Sequence, residues 1–345
     1  MWYIQMALTI ALTYNPKRDP TPDQPRDFYA EFDAELTIDT IESALKSRGH
    51  RIFRTEANDE IPEKLIELHP DMVFNIAEGI RGESRESHVP AICEMLGIPY
   101  TGSGPLTLAI CLNKARTKEI LKFYGLKTPD FQVFRSSGEK LRKGLKFPLI
   151  VKPLHEGSGM GIMKSSVVKK KRDLMKMVSF VINTYKQPAL VEEFLPGREF
   201  TISILGNIDP LVLPIIEIKV DDFPEETKGV YGFEAKYVFD REDLSEVARL
   251  SERLRDAIRE IALKTYRILE CRDFCRVDIR LDKNGIPNVI DVNPLAGISP
   301  STDPLSFSYF TKAAILEGMT YEDMINHIFD CALERCNGEI SKDGT

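Results

Sequence analysis

The sequence predicts an α/β chain that opens with an open parallel sheet, and three observations carry that prediction. Strand-like and helix-like segments alternate through the first hundred residues, with helices of the length that crossovers between parallel strands need. Polar, glycine-bearing loops fall at the carboxyl ends of those strands, where open sheets of this type gather ligands. Near the other end of the chain, Cys275 to Pro294 (CRVDIRLDKNGIPNVIDVNP) reads as a β-hairpin that collects oxygen-bearing side chains.

Composition sets the limits. A chain of 345 residues has room for two or three domains, and 43% hydrophobic with 29% charged residues describes an ordinary soluble protein with a sizeable core. Forty-six basic against 53 acidic residues leave a net charge of −7, which argues against a general nucleic-acid or anionic-membrane binder. The six cysteines (93, 111, 271, 275, 331 and 336) have no C-x-x-C spacing, so reduced thiols in a cytoplasmic protein are expected. The apolar opening Met1 to Tyr14 lacks a basic leader and a cleavage site and is too short to span a bilayer, so it is expected to be a strand.

Taken in order, residues 4–12 read as a strand, 34–48 as a helix ending at Gly49, 51–54 as a strand, 61–68 as a helix and 71–76 as a strand. The loops Tyr14 to Arg26 and Ala77 to Ser84 then lie at the ligand-binding edge. Helix 86–96 follows, and the turn-rich passage Gly97 to Gly104 marks the end of a first domain, 1–102. Helices 105–111 and 114–124 come next, the second capped by Asn113. Lys114 sits in its first turn, where a cation opposes the macrodipole; it is either a solvated lysine or a phosphate contact. Strand Phe147 to Lys152 leads into Pro153 to Ile162 (PLHEGSGMGI), whose three glycines allow backbone N–H groups close to an anion, and strand character resumes at Ile162. This loop is neither a Walker loop nor a dinucleotide fingerprint. Helix 171–184 and strand Ala189 to Glu192 close a second domain, 103–195.

Glu192, near the end of the second domain, and Glu199, near the start of the third, 196–345, bracket a Pro-Gly turn before a strand that runs through Leu205. The two carboxylates are either surface charges or holders of a ribose or an amino group. Asp221 to Gly232 (DDFPEETKGVYG) is acidic, turn-rich and expected to be a mobile loop. A packing helix over 242–269, the hairpin, a small-residue loop over 295–303 and helices at 304–316 and 320–335 complete the chain. In the hairpin, Asp291 and Asn293 share a face, roughly 7 Å apart along the strand, and Arg276, Asp278 and Arg280 share a face of the partner strand. Oxygen ligands without His or Cys suit a hard cation such as Mg²⁺. An ordinary hairpin with a charged outer face would show the same pattern.

Five stretches in order, LGIPYTGSGPLTLAICLNKARTK, FPLIVKPLHEGSGMGI, ALVEEFLPGREFTISILG, YGFEAKY and CRVDIRLD with VIDVNP, give the chain its resemblance to the D-alanine:D-alanine ligase family of the ATP-grasp superfamily. The resemblance runs from about Val73 to Asn326. It implies a pre-ATP-grasp α/β domain followed by a two-lobed α+β ATP-grasp fold. It also implies ATP as co-substrate, two Mg²⁺ ions with Mn²⁺ as a possible substitute, and small amino acids as substrates joined through an acyl phosphate. By the same resemblance, Lys114 and Lys152 meet the α and β phosphates, with Glu156 and Gly157 in the loop over them. Glu192, Glu193, Phe194 and Leu195 lie at the adenine hinge, and Glu199 at the ribose. Lys236 follows the γ-phosphate; Asp278, Asp291 and Asn293 hold the metal; Arg276 steadies the charged intermediate. Ser158 and Tyr237, with Glu35 as the candidate for an N-terminal glutamate, link the closing loop to the first substrate. A homodimer is expected by the same likeness.

Three departures fall on the amino-acid side of the implied site. Tyr14-Asn15-Pro16-Lys17 and a polar insertion replace a glycine-rich first loop, Glu78 stands where the family has His, and Gly297 to Thr302 (GISPST) replaces the usual terminal loop. Asp291 stands where the family usually has Glu, shortening the side chain by about 1.5 Å. The resemblance therefore implies ATP-dependent ligation with the amino acids open. The alternatives are a carboxylate-amine ligase of another specificity, or a nucleotide-binding module without turnover.

Overall fold

The computed structural model describes residues 7–227, 229–236, 244–300 and 308–343, with side chains to residue 336. The first elements are β1 (Thr9–Tyr14), α1 (Glu35–Lys46), β2 (Arg51–Glu56), α2 (Ile61–Leu68), β3 (Met72–Asn75) and α3 (His88–Leu96). β1 lies between β2 and β3 and is parallel to both. Alternate side chains of β1 serve opposite faces: Ile10 and Leu12 pack with Ile38, Ile41 and Leu45 of α1, while Ala11 packs with Leu65 and Val73. The spacing of Ile38, Ile41 and Leu45 puts one apolar stripe on α1, and this stripe, more than propensity, holds the helix in place. Gly97, at φ 68°, ends α3 with a left-handed turn that only glycine adopts without strain. The strand expected over 4–12 begins only at Thr9, and its first residues lie outside the described ones.

Two helices follow, α4 (Pro105–Leu112) and α5 (Lys114–Phe123). The Asn113 side chain accepts the Arg116 N–H at 3.2 Å and caps α5 as its sequence signals. An antiparallel sheet is then built from β4 (Phe131–Phe134), β5 (Leu149–Pro153), β6 (Val167–Val168) and, after α6 (Lys171–Tyr185), β7 (Ala189–Glu193), in the order β4-β7-β5-β6. Leu174, Val178 and Val181 of α6 cover Leu149, Val151, Ala189 and Val191. Strand character does not resume at Ile162. Ser158, Gly159 and Gly161 all have positive φ (47°, 71° and 67°), a short helical turn occupies 164–166, and only Val167–Val168 is extended.

The third sheet comprises β8 (Glu199–Leu205), β9 (Leu211–Val212), β10 (Ile216–Ile218), β11 (Ser245–Val247) and, after α7 (Glu252–Ile268), β12 (Phe274–Leu281) and β13 (Pro287–Asn293). Its order is β11-β10-β8-β12-β13, with β9 beside β8. The long helix expected from 242 is shorter. Residues 245–247 pair antiparallel with β10, and α7 starts only after Ser251, whose hydroxyl accepts the Leu254 N–H. The chain closes with α8 (Tyr309–Leu316) and α9 (Tyr321–Asp343). α9 returns to the first sheet and packs on α1, where Arg48 pairs with Asp330 at 2.7 Å and the Asn326 amide donates to the Ala44 carbonyl at 3.0 Å.

Asp273 joins these parts at a single point. It is 0% exposed, and its carboxylate accepts the Gly102 N–H at 2.7 Å, the Asn207 amide at 2.9 Å and the Arg335 guanidinium at 3.0 Å. Three segments, from the end of the first domain, the β8–β9 turn and α9, thus converge on one buried anion. Removing one partner of such a group leaves the others unpaired and typically costs about 3–5 kcal/mol. Asp273→Ala is expected to lower the thermal unfolding midpoint by several degrees, whereas a midpoint unchanged from wild type would remove Asp273 from this role.

Candidate active site

The hairpin of β12 and β13 forms with Arg276 opposite Asn293 and Asp278 opposite Asp291. Beyond Asp278 the register slips by one: Ile279 opposes Val289, and Ile290 is left as the extra residue of a bulge. Asp278 accepts hydrogen bonds from the Thr201 hydroxyl at 2.7 Å, from Arg276 Nε at 3.0 Å and from Asn293 Nδ2 at 3.0 Å. Asp291 receives Lys114 Nζ on both oxygens, at 2.7 and 2.9 Å. Burial pushes the Asp291 carboxyl up, but Lys114 and then Lys152 outweigh it and hold the group below the usual carboxylate range. Asn293 uses its NH₂ group on Asp278, so its amide oxygen is the remaining donor beside two carboxylates. This all-oxygen set fits a hard divalent cation.

Facing the hairpin, Lys152 of β5 and Lys118 of α5 share one carboxylate. Glu192 of β7 lies 2.6 Å from Lys152 Nζ and 3.1 Å from Lys118 Nζ, all three nearly or fully buried. Burial lowers the Lys118 ammonium to about 8 despite Glu192, while the two lysines together keep Glu192 below its ordinary range against burial. Glu192 therefore fixes two ammonium groups, one of which, Lys118, also donates to the carbonyl of the bulged Ile290 at 3.1 Å. Lys118 lies one helical turn after Lys114, a spacing visible in the sequence that had drawn no attention. On the same side, Glu199 receives Arg280 at 2.8 Å.

Two adjoining cavities result. The larger is lined by Lys114, Lys152, Glu156 and Gly157 together with the strand end Glu192, Glu193, Phe194 and Leu195; Glu199, Asp278 and Asp291 complete its wall. The second is lined by Glu31, Asp33, Glu78 and Glu86 together with Gly297 and Ser299. Lys114, Gly157, Ser158, Lys236, Arg276 and Asn293 line both, so the two spaces meet at these groups. At the junction Lys236 Nζ donates to the Ser158 hydroxyl at 3.3 Å.

Two sequence expectations fare differently. Glu35 is not at the site: as the first residue of α1 it is 69% exposed and pairs with Arg54 at 2.5 Å on the surface. The N-terminal glutamate in the cavity is Glu31, one turn earlier in the chain, whose Oε1 accepts the Gly157 N–H at 2.5 Å and whose Oε2 receives Arg85 at 2.5 Å. The signal lay in the Phe28 to Asp33 stretch, where acidic residues alternate with aromatic and small ones inside a segment otherwise read as loop. Tyr237 lies outside the described residues. Arg85 and Glu86, which the sequence reading passed over, close the cavity. Arg85 also pairs with Glu156 at 2.9 Å, and Glu156, raised to about 7 chiefly by burial, is bonded to Gln187 as well.

A carboxylate hairpin on one antiparallel sheet facing buried lysines of a second sheet and of helix α5, with a glycine-rich turn between them, defines an ATP-grasp ligase. The family model D-ala D-ala ligase C-terminus matches residues 120–330. The D-alanine–D-alanine ligase of Aquifex aeolicus is 34% identical over 299 residues, covering 85% of this chain and 94% of that protein. The uncharacterized protein y4sG of Sinorhizobium fredii is 35% identical over 309 residues, 87% of this chain and 88% of its own. The crystal structure of D-alanine–D-alanine ligase from Bacillus anthracis complexed with ATP superposes with a TM-score of 0.72 at 26% identity, covering 96% of this chain and all of that one. The chain belongs to the D-alanine–D-alanine ligase family, whose members are ATP-dependent ligases.

The acidic wall has a measurable consequence. Burial first, then Glu31, raises Glu86 to about 8, and burial raises Asp33 to about 8. The unfolded chain ionises Asp33 near 3.8 and Glu86 near 4.5, so between those values and about 8 the folded state binds more protons, and stability falls as pH rises through that window. Glu86→Gln removes one such group. Its thermal midpoint should match wild type at pH 4.5 and exceed it at pH 8.5 by at least about 2 °C, the shift that ~1 kcal/mol produces in a large domain; equal midpoints at both pH values would contradict the assignment.

Proposed function

We propose that this chain joins the carboxylate of one small amino acid to the amine of another, using ATP and releasing ADP and phosphate. The observation that carries the reading is the junction at which Ser158, Lys236, Arg276 and Asn293 line both cavities at once. A terminal phosphate in the larger cavity and a carboxylate in the smaller would meet there. The carboxylate oxygen attacks the γ-phosphorus and ADP leaves. The second amine then attacks the acyl carbon, phosphate leaves, and the amine gives up a proton.

Each residue's part follows from its charge and partners. Lys114 and Lys152 neutralise nucleotide phosphates, and Glu192 holds Lys152 in position from behind. Glu199, fixed by Arg280, is set to accept hydrogen bonds from a ribose. Arg276 and Lys236 stabilise the charge that spreads over the transferring phosphoryl group and the acyl phosphate. Asp278, Asp291 and Asn293 would hold Mg²⁺, which would supply positive charge to the nucleotide phosphates. Ser158, beside Lys236 and next to the Gly157 N–H that Glu31 accepts, ties the glycine-rich turn to the first substrate.

Water exclusion is assigned to the packing of the glycine-rich turn against residues 229–236. The Phe233 N–H donates to the Gly159 carbonyl at 3.0 Å, and the Arg280 guanidinium donates to the Gly229 carbonyl at 3.0 Å. Gly159 has φ 71°, and a Cβ there would stand 2.7 Å from the Gly232 carbonyl carbon and the Phe233 nitrogen, so any side chain drives the two segments apart. An acyl phosphate shielded by this contact is protected from hydrolysis.

Phosphate release with single amino acids and then with pairs is the direct test. A ligase shows amino-acid-dependent release, and a nucleotide-binding module shows none with any amino acid. Lys152→Ala should reduce release at least ~100-fold with the circular dichroism spectrum unchanged, in keeping with the loss of one preorganised charge; near-normal turnover would refute the assigned phosphate site. Gly159→Ala should retain nucleotide binding yet raise the share of ATP hydrolysed without dipeptide formation, read as the ratio of phosphate to product; an unaltered ratio would exclude the sealing role.

A further inference from the structure

The charges around the smaller cavity do not balance. Glu31, Asp33, Glu78 and Glu86 line it with Lys114, Lys236 and Arg276 as the cations. Lys114 is committed to Asp291, and Arg276 to Asp278. Both oxygens of Glu31 are occupied by Arg85 and the Gly157 N–H. Glu78 and Glu86 have no hydrogen bond or ion pair among the described residues, and Glu86 is only 8% exposed. Burial first and then Glu31 raise both groups, so that they stand protonated near neutral pH, and a cation entering from outside the chain would let them ionise.

We infer that this cavity selects an amino acid carrying a second positive charge, an amino or guanidino group on its side chain, which pairs with Glu78 and Glu86. The inference rests on the ligase reading and names its substrate class. One α-ammonium group, even where it touches both, brings one positive charge to two acidic groups. Carboxylate oxygens of Glu31, Glu78 and Glu86 lie within 4.8 Å of one another, so a single ammonium or guanidinium group reaches Glu78 and Glu86 together. A divalent cation would need Glu31 as well, and that carboxylate already receives Arg85 and a backbone N–H. A neutral side chain such as alanine's would leave the buried Glu86 and the half-buried Glu78 without a side-chain cation, and sites of this kind discriminate strongly against analogues that lack the polar group.

The test measures ATP-dependent phosphate release by the full chain with D- and L-alanine, 2,3-diaminopropionate, ornithine, lysine and arginine, singly and in pairs. For the preferred handedness, kcat/KM with a dibasic amino acid should exceed that with alanine by at least ~100-fold. Glu86→Gln and Glu78→Gln, assayed separately, should each bring that ratio down by ~10-fold or more, mainly through KM for the dibasic substrate. Alanine turning over as well as every dibasic amino acid would overturn the inference and leave the ligase reading intact. The absence of amino-acid-dependent release with every amino acid and pair would remove both. A ratio unchanged in either folded variant would also overturn it. So would stoichiometric Mn²⁺ binding, without nucleotide, that is lost in Glu86→Gln, because the carboxylates would then be a metal site.

Discussion

The structure turns on opposite charges buried along the cleft between two antiparallel sheets. Lys114 of α5 reaches across to Asp291 of β13, while Lys152 of β5 and Lys118 of α5 share Glu192 of β7, so that each ion taken out of water meets an opposite charge. Pairing lets each sheet present its charges to the cleft without unfolding at neutral pH. It also sets the register of the lobes, because Lys118 reaches the Ile290 carbonyl and Lys114 reaches Asp291 only when α5 lies over the end of β13. The bulge at Ile290 belongs to the same arrangement: it turns one carbonyl out of the ladder and toward a lysine.

These ions are therefore matched within the protein and available to anions and cations of a substrate. On the ligase reading proposed above, a nucleotide bound with a metal ion would exchange one set of opposite charges for another, so that little net charge is buried. The smaller cavity is built differently. Its carboxylates outnumber the cations committed to them, and burial holds Glu86 and Asp33 at raised pKa values. One half of the cleft is electrically closed and the other is open, which places specificity on the amino-acid side.

What the sequence made legible follows the same division. Residues that lie on strands with a clear alternation, such as Asp278, Asp291 and Asn293, could be assigned to one face before any coordinates, because a period of two leaves no choice. Lys114 and its Asn113 cap were equally visible, since capping is decided by a few neighbouring residues. Glu31 was hidden for the opposite reason: it is placed by contacts with Arg85 and Gly157, 54 and 126 positions away in the chain, and no local pattern reports such a contact. Glu35, the candidate that the resemblance implied, has a position that answers instead to the helix dipole and to Arg54 on the neighbouring strand. The edge strand β11 was read as helix because its residues run without a break into the stripe of α7, and only pairing with β10 distinguishes them. The turn at 157–162 defeated a strand reading because the positive φ angles at Ser158, Gly159 and Gly161 are set by what packs around the loop.

The return of α9 to α1 has a consequence for how the molecule comes into being. Ala44 and Asn326, bonded to each other, are 282 positions apart. During synthesis the first sheet and its helices emerge long before the segment that covers them, leaving a face of α1 without its neighbour until almost the whole polypeptide has left the ribosome. Closure of so long a loop is slow and carries an entropic penalty. The opening domain thus acquires its final stability late, as an act of completion by the last helix.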